Sequence, residues 1–400
     1  MPPAQATQKA IQPEKIDIVY LWVDGNDPVW RQKRQKSLSQ LNANNRNSIA
    51  KYGNVEGRYR DNDELRYSLR ALERYFPDCG HVYIVTDAQT PAWLQNSSQI
   101  SIIDHKDLIP ASKLPTFDSA NIESYIHRIP NLSERYFYLN DDVFFGSRVD
   151  LSHWFSQYGI CVGWSDDLPV SNEGLQPEAT ALENACRLSI QWLKTHGNSN
   201  KQLHQDRNQH SNLSPFKHTY RTFAHSPRPM LKSMLFALET EAADLFKSVR
   251  STVFRAWDKP TIVSDFVLRW ALANGQAAVR DYSHIYLSTG DVQNKAQLDS
   301  FVAADGQLDF FCINDTTDDA SNLDPRLAMV QTALQTMFPK ASRYEKKLVS
   351  AAGRSNLKSA KHKLQVSNSI AAANTTLADS PAEPNACLAK NESKTRRPTA

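Results

Sequence analysis

The sequence predicts an α/β fold built on a parallel sheet, and two observations lead to it. Short apolar runs at 16–22, 81–87 and 136–143 each reach an acidic residue at or near their end, which is typical of strands that emerge from a buried sheet. Between the first two runs lies a segment with the apolar spacing of a helix. Strand, helix and strand in this order predict a βαβ unit with parallel strands.

The first strand leads into a long polar segment. Ile16–Trp22 is the predicted strand, and Val23–Pro28 is rich in the Gly, Asn, Asp and Pro residues that favour turns. Residues 31–59 are basic, polar and asparagine-rich. We therefore expect a mobile insertion, or a helix and loop, over the functional site.

A helix is predicted to start at Asp61–Glu64. Asp61 can cap free backbone amides, and Glu64, three residues later, can reach back. Four consecutive polar residues are more than capping needs. Arg60 and Arg66 flank them and could hold a donor phosphate at this helix start. The apolar face of the helix would consist of Leu65, Leu69, Leu72 and Phe76.

The remaining elements follow from the same kinds of pattern. A short helix is predicted at Ser119–Ile129, and its Glu123 and His127, four residues apart, would share one face. Residues 196–218 are so rich in His, Asn, Gln and Ser that a flexible loop is expected. Further predictions are strands at His81–Asp87, Gln99–Asp104 and His284–Leu287, and helices near 230–247 and at Ile262–Asn274, the latter closed by Gly275.

Charge is distributed unevenly along the 400 residues. The whole chain carries 46 − 43 = +3, whereas residues 351–400 alone carry 8 − 3 = +5, which leaves −2 for the rest. The body therefore gives no reason to expect nucleic acid as a partner. We expect a flexible N-terminus over 1–15, one folded domain over 16–345 with a variable insertion at 151–220, and a disordered basic tail over 346–400.

Targeting signals and cysteine usage indicate an intracellular protein. Met1–Lys15 lacks the apolar core of a secretory signal, and no run of about 18 apolar residues could span a membrane. Five cysteines are scattered without C-x-x-C spacing, which fits reduced thiols better than a disulfide framework or a zinc site. We expect a bacterial cytoplasmic protein.

The most informative motif is Asn140-Asp141-Asp142, which directly follows an aromatic strand. Open α/β sheets bind ligands at the carboxyl ends of their strands, and paired carboxylates there are typical ligands of hard cations. Taken alone, the motif fits an ordinary Asn-Asp turn between two edge strands better. The surrounding sequence favours the ligand site.

Four segments carry motifs that recur together in one family. They are Ile16–Gly25, the run from Arg60 to Val143, the looser pair Ala224–Pro227 with Phe254–Arg255, and Phe311–Asp315. Together, over residues 16–316, they resemble the Stealth family of sugar-1-phosphate transferases, which includes bacterial capsule polymerases and the animal N-acetylglucosamine-1-phosphotransferase that modifies lysosomal enzymes.

The resemblance implies a Rossmann-like, nucleotide-sugar-binding sheet similar to a glycosyltransferase core, with helical additions. It also implies transfer of a sugar-1-phosphate, such as an N-acetylhexosamine-1-phosphate, from a UDP-sugar to a hydroxyl of a glycan. UMP leaves and a phosphodiester forms, in capsule or other surface polysaccharide synthesis. Two alternatives stay open: a conventional metal-dependent glycosyltransferase that releases UDP, and a non-catalytic glycan-binding protein.

Catalytic roles are implied for Asp141, His225, Arg255 and Glu123. Asp141 would bind a metal together with Asp142, or accept the proton of the acceptor hydroxyl. His225 would act as a base or a phosphate ligand. Arg255 suits a transferring phosphoryl group, although a surface ion pair with Asp258 is nearly as plausible.

Substrate-binding roles are implied for Trp22, Asp24, Gly25, Arg60, Asn62, Asp63, Arg66, His127, Arg128, Asn140, Asn184 and Arg187. Trp22 could stack on uracil or be buried for structural reasons. Asn184 and Arg187 lie in a less specific element. Asn314 and Asp315 close the fourth motif, but Thr316 stands where the family usually has a third polar residue, so their metal role is open.

The implied cofactor is a divalent cation, Mg²⁺ or Mn²⁺, that would bridge diphosphate oxygens. The implied partners are a UDP-sugar donor and an oligosaccharide or polysaccharide acceptor. The basic tail could tether the protein peripherally to the inner membrane or to a capsule export complex.

Overall fold

The computed structural model describes residues 15–196, 219–292, 295–321 and 323–347, and those up to Lys346 belong to one unit. Within these residues the strands are β1 (Asp17–Leu21), β2 (Val82–Thr86), β3 (Ile100–Asp104), β4 (Arg135–Asn140), β5 (Val143–Phe145), β6 (Phe155–Ser156), β7 (Gly159–Val162), β8 (Arg228–Leu231), β9 (Ala277–Val279), β10 (His284–Ser288) and β11 (Phe310–Asn314). The helices are α1 (Pro28–Ser39), α2 (Ala43–Asn47), α3 (Glu64–Tyr75), α4 (His105–Leu108), α5 (Ser119–Glu123), α6 (Ala181–His196), α7 (Lys232–Glu241), α8 (Ala243–Val249), α9 (Val267–Ala273), α10 (Lys295–Ala303) and α11 (Pro325–Met337).

The central sheet has the strand order β3, β2, β1, β4, β8. The first four strands are parallel, and β8 runs antiparallel to β4. Every residue of β1 and β2 is buried, as a parallel sheet covered on both faces requires. The chain moves outward from β1 to β3 and then returns to β4 on the other side, so a crevice lies between the carboxyl ends of β1 and β4. The predicted α/β fold with a parallel sheet is confirmed.

Helix α3 begins at Glu64, two residues later than a cap at Asp61 would place its start. Its N-cap is Asp63, which has a left-handed backbone (φ 67°) and makes no side-chain capping bond. Asp61 instead accepts from the amide of Asp63 at 3.0 Å, and Glu64 accepts from the amide of Asn62 at 2.6 Å. The prediction that Asp61 caps the helix is therefore wrong, whereas the predicted stripe is buried, with Leu65, Leu69 and Leu72 at 0% exposure.

A second sheet begins where the central one ends. After the turn at Asp141–Asp142 the chain enters β5, which pairs antiparallel with β11, and β11 pairs with β10. Cys312 of β11 lies opposite Val143 of β5. The end of β11, Asn314–Asp315, is thereby brought beside the two aspartates that follow β4.

The polar segment after β1 is a helix and loop held down by aromatic rings. Trp30 of α1 contacts the rings of Tyr59 and Phe117, with centroids 5.2 and 5.3 Å apart, and Phe117 stacks on Phe254 at 5.2 Å. Within residues 31–59, Tyr59 belongs to this small core and Leu38, Leu41 and Ile49 pack against it, and the basic composition of the segment conceals them. The segment covers one side of the crevice.

Several predicted boundaries are corrected by the structure. The helix expected at Ser119–Ile129 is α5 followed by a separate 3₁₀ turn at Ile126–Arg128. The helix expected at 230–247 is preceded by strand β8 and breaks at Ala242 into α7 and α8. The helix at Ile262–Asn274 is present as a π-helical turn plus α9, and Gly275 follows it with φ 69°.

Part of the predicted variable insertion is ordered. Helix α6 lies within residues 151–220, and its Cys186 and Ile190 are fully buried. Of the loop expected at 196–218, His196 ends α6, and residues 197–218 lie outside the described residues. Residues 348–400 of the tail expected at 346–400 also lie outside them. Among the residues described, none of the helices has the length and apolar character needed to cross a membrane.

Candidate active site

A pocket opens at the carboxyl ends of β1 and β4, at the crevice of the central sheet. Trp22 follows β1, Asn140 ends β4 and is followed by Asp141 and Asp142, and Asn314 ends β11 and is followed by Asp315. All of these residues line the pocket. Residues 57–60 and Thr116–Phe117 line it as well. Carboxylates, amides and guanidinium groups from distant parts of the chain therefore face one space.

Asp141 and Asp142 form the turn between β4 and β5. The amide of Ile313 donates to the carbonyl of Asp142 at 2.9 Å, which fixes the turn against β11. Burial raises the pKa of both carboxyl groups, that of Asp142 to about 6, and the pKa of Asp141 is raised further by Asp142 and Glu64. A cation beside them would favour the charged forms that burial disfavours.

The atoms around Asp142 test whether a metal ion fits. Its Oδ2 accepts from Sγ of Cys312 at 3.6 Å, whereas its Oδ1 is buried and has no hydrogen-bond partner. A buried carboxylate oxygen without a partner, beside a second carboxylate, fits a hard cation. No group of three or more His, Cys, Asp or Glu among the described residues is arranged to hold an ion. Substrate phosphates and water would complete the shell, as is common for Mg²⁺.

Asp315 is already occupied by protein donors. It pairs with Arg60 and accepts from the amide of Thr317 at 3.0 Å. Arg60 also donates to the carbonyl of Ala320 at 2.8 Å. These contacts fasten residues 57–60 to the segment after β11, so Arg60 and Asp315 shape the pocket wall.

Glu64 adds a further carboxyl group to the acidic side of the pocket. Asn62 donates to it from its backbone amide and from Nδ2, at 2.6 and 2.8 Å. Burial, reinforced by the charge of Asp61, raises the pKa of Glu64 to about 8. Burial and the charge of Asp63 raise the pKa of Asp61 to about 7. Carboxyl groups are thus concentrated around Asp141, and burial favours their neutral forms unless a cation binds beside them. Asp63 itself sits at the start of α3 outside the pocket lining.

The basic side of the pocket is built on Arg58 and Ser119, which line it, whereas Arg255 is not part of the lining. Nη2 of Arg58 donates to Oγ of Ser119 at 3.0 Å, and Nη2 of Arg255 donates to the same oxygen. Asp118, which is 1% exposed, lies 3.5 Å from Arg255. The alternative of a surface ion pair between Arg255 and Asp258 is wrong, because Arg255 pairs with Asp118 and Asp258 pairs with Lys259 at 3.1 Å.

His225 lies next to this basic side. Its pKa is lowered to about 4, first by burial and then by the charges of Arg228 and Arg255. The imidazole is therefore neutral at pH 7 and able to accept a proton. Its ring lies 5.2 Å from that of Tyr286.

Glu123 reaches the pocket through a tyrosine. The hydroxyl of Tyr138 lies 3.0 Å from Oε1 of Glu123 and 2.7 Å from Oδ1 of Asn140. Glu123 is fully buried, and burial raises its pKa. This chain of contacts links α5 to the end of β4.

His127 does not share a face with Glu123, so that prediction is wrong. The helix ends at Glu123, and Nε2 of His127 bonds to Glu239 at 2.7 Å. Arg128 donates to the same carboxylate at 2.8 Å. Both residues hold α7 against the 3₁₀ turn, away from the pocket lining, and their substrate-binding roles stay predictions.

The turn after β1 approaches the pocket through its backbone. Asp24 accepts from the amide of Asn26 at 2.8 Å. Gly25 donates its amide to the carbonyl of Tyr59 at 2.7 Å, and a Cβ on Gly25 would lie 2.3 Å from that oxygen. The absence of a side chain is what lets residues 57–60 pack here.

Three predicted substrate ligands are bound elsewhere in the protein. Arg66 donates to Glu345 at 2.6 Å. Asn184 donates to the carbonyl of Gln176 at 2.7 Å, and Arg187 donates to Oδ1 of Asn184 at 3.1 Å. None of the three lines the pocket.

Comparison with known proteins identifies the conserved regions that build this pocket. Stealth protein conserved region 1 matches residues 14–41, conserved region 2 matches 58–162, and conserved region 4 matches 303–354. The chain belongs to the Stealth family. The three regions supply β1, the Asp141–Asp142 turn and the end of β11. The looser Stealth resemblance at 224–227 and 254–255 stays a prediction.

Curated relatives of this Stealth chain have related names. An exopolysaccharide phosphotransferase of Streptomyces coelicolor is 32% identical over 348 residues, which is 83% of this chain and 52% of that protein. A capsular polysaccharide phosphotransferase of Actinobacillus pleuropneumoniae is 36% identical over 215 residues, 53% of this chain and 55% of that protein. The chain thus spans about half the length of these relatives. A solved galactosyltransferase, LgtC, aligns at 10% identity with a TM-score of 0.36 over 82% of this chain and 98% of that one, which is only a remote similarity.

Sequence reasoning assigned no role to several residues in and around the pocket of this Stealth protein. Arg58 and Ser119 line the pocket, whereas Tyr138, Arg228 and Cys312 act on residues of the site from outside its lining. Arg58 lies two positions before the recognised Arg60, and Ser119 lies at a predicted helix start. Their chemistry becomes visible only when the chain brings them together.

Proposed function

We propose that this chain transfers a sugar-1-phosphate from a UDP-sugar to a hydroxyl of a glycan acceptor, forming a phosphodiester and releasing UMP. The observation that carries the proposal is one pocket lined by the paired carboxylates of Asp141 and Asp142 and by the guanidinium group of Arg58, with Arg255 bonded to the same serine as Arg58. A diphosphate bound through a cation needs both kinds of group. The names of the relatives support a role in exopolysaccharide or capsule synthesis. The sugar that we propose is an N-acetylhexosamine.

Asp141 and Asp142 would hold Mg²⁺ or Mn²⁺ in the proposed enzyme. When bound, such an ion neutralises charge on the diphosphate and on the departing UMP. Cys312 orients the carboxylate of Asp142 through its bond to Oδ2, which leaves Oδ1 directed to the ion. The hydroxyl of Tyr138 holds Asn140 beside this pair, and the same hydroxyl contacts Glu123.

In the proposed reaction, the acceptor oxygen attacks the phosphorus next to the sugar. The bond from that phosphorus to the oxygen bridging it to UMP breaks, and UMP leaves with the bonding electrons. The hydroxyl proton passes to a base, for which neutral His225 and Asp141 are the candidates. Arg255 would stabilise charge on the transferring group.

The nucleotide product tests the proposal. The purified chain would be incubated with a panel of UDP-sugars, Mn²⁺ and short glycan acceptors, and the nucleotides separated by chromatography. We expect UMP, together with a phosphodiester signal in the phosphorus NMR spectrum of the glycan. Release of UDP would show a conventional glycosyltransferase instead, and turnover that persists in both Asp141→Ala and His225→Ala would contradict the assigned site.

A further inference from the structure

We infer that Arg58, Ser119 and Arg255 form a clamp for the sugar-proximal phosphate of the donor, the phosphate that is transferred. The identity of the donor rests on the proposed function. The clamp itself rests on the contacts and charges of these three residues. Arg58 and Ser119 have no role in the reaction as described so far.

One hydroxyl holds both guanidinium groups in place. Arg58 and Arg255 each donate an Nη2 hydrogen to Oγ of Ser119. A serine oxygen accepts two hydrogen bonds through its two lone pairs, which leaves the hydroxyl hydrogen free to donate. Two guanidinium groups and one hydroxyl therefore meet at this point, and Arg58 and Ser119 line the pocket.

The charge on this side is incompletely balanced. Asp118 lies 3.5 Å from Arg255, but within the described residues Arg58 forms no ion pair, and its Nε is buried without a hydrogen-bond partner. The carboxylates of Asp118 and Glu123 act on Arg58 without forming an ion pair, and burial and the charge of Arg255 still lower its pKa. An arginine kept in this state fits a site that an anionic ligand completes. The planar fork of arginine suits a phosphate.

Two of the three clamp residues share a pocket with the paired carboxylates. Arg58 and Ser119 line the same pocket as Asp141 and Asp142. Burial and the neighbouring arginines also lower the pKa of His225 to about 4, which is consistent with a positive potential on this side. A diphosphate shared between the two sides would place its second phosphate in the clamp.

Comparing UDP with UMP isolates the second phosphate. Calorimetric titrations in EDTA would measure UDP, UMP and pyrophosphate binding to the wild type, Ser119→Ala, Ser119→Thr and Arg58→Lys. We expect Ser119→Ala and Arg58→Lys to weaken UDP binding about 10- to 100-fold and UMP binding less than about twofold. Ser119→Thr keeps the hydroxyl and should bind as the wild type does. Arg148→Lys, at an exposed arginine, is the matched control.

The remaining outcomes separate the clamp from the proposed function. If UDP fails to bind but pyrophosphate binds to the wild type and not to Ser119→Ala, the clamp stands and the uridine donor is refuted. An unchanged ratio of UDP to UMP affinity in folded Ser119→Ala and Arg58→Lys overturns the clamp while the donor stands. Failure of every ligand to bind the wild type also overturns it. Thermal unfolding without ligand verifies that each variant is folded.

Discussion

At the scale of single residues, the environment of the Asp141–Asp142 turn explains how two adjacent acids are kept in a pocket. Burial disfavours both charges, and Glu64 adds to the repulsion felt by Asp141. Arg58 on the opposite side acts in the other direction and lowers the pKa of Asp142. A bound cation would supply the largest compensating charge.

Asp141→Asn should separate metal binding from proton transfer. We expect kcat/KM to fall by about a hundredfold or more at ordinary Mn²⁺ concentration and to recover in part as the Mn²⁺ concentration rises, because the amide remains a weaker oxygen ligand. The measurement is kcat/KM as a function of Mn²⁺ concentration.

Asp78→Asn, at an exposed aspartate, is the control for loss of a charge. A loss in Asp141→Asn that no Mn²⁺ concentration restores, with donor binding intact, would instead identify Asp141 as the base.

At the scale of elements, close backbone contacts hold the 57–60 segment in the pocket wall. A Cβ on Gly25 would meet the carbonyl of Tyr59, and a Cβ on Gly57 would lie 2.4 Å from Oδ1 of Asp315. These two glycines let the turn after β1 and the end of β11 enclose Arg58 and Arg60. The segment is thereby positioned from both sides.

Gly25→Ala should therefore disturb both stability and activity. Displacing Tyr59 to make room for the methyl group should cost about 1–3 kcal/mol of unfolding free energy. It should also lower kcat/KM about tenfold, because Arg58 and Arg60 move with the segment. Urea denaturation and steady-state kinetics measure the two effects.

Gly174→Ala is the matched control, because a Cβ there meets nothing within 4 Å. Its unfolding free energy should stay within about 0.5 kcal/mol of the wild type. Equal behaviour of the two variants would contradict the steric explanation.

The stability of the folded protein should depend on pH through His127, which contacts Glu239 of α7. Burial lowers its folded pKa to about 4, below the ordinary value of 6.5. Between these values the unfolded state binds more protons, so the stability of the wild type is full above pH 6.5 and is lost as the pH falls to about 4. Because its partner Glu239 has a pKa of about 2, that carboxylate stays charged throughout this window.

His127→Gln removes this titration. Relative to the variant, the wild type should lose up to about 3 kcal/mol of unfolding free energy between pH 7 and pH 4. Urea denaturation of both proteins across this range measures the difference. A difference that is independent of pH would show that His127 titrates normally in the folded protein.

At the scale of the whole molecule, the folded body and the basic tail are expected to have separate tasks. The body carries the pocket, and residues 351–400 carry a net charge of +5. Basic segments are attracted to anionic lipid surfaces by roughly 1 kcal/mol for each lysine or arginine near the surface. Deleting residues 351–400 should leave activity on soluble acceptors unchanged and lower recovery in the membrane fraction.

A lysine-to-glutamine series within the tail would show whether charge is responsible. Recovery in the membrane fraction should then fall with each lysine replaced, and it should also fall at high salt. Unchanged recovery of the deleted protein with the membrane fraction would refute the tether.

The sequence by itself determined the central elements of this Stealth protein. β1, β2 and β4 are continuous apolar runs, so their existence and their acidic ends follow from local pattern, and the α3 stripe follows from its leucines. The start of α3 did not follow, because Asp61 and Glu64 bond to neighbouring amides outside the helix. Helix α6 was missed although Cys186, Ile190 and Leu193 repeat with helical spacing.

Only the tertiary structure decided which polar residues meet. Ser119 joins Arg58 to Arg255, residues nearly 200 positions apart, and Cys312 joins the end of β11 to Asp142. Such contacts depend on the paths of loops and on the pairing of β5 with β11, neither of which leaves a periodic signal in the sequence. Apolar periodicity reports burial along one element, whereas the geometry of a charged pocket is set by the packing of several.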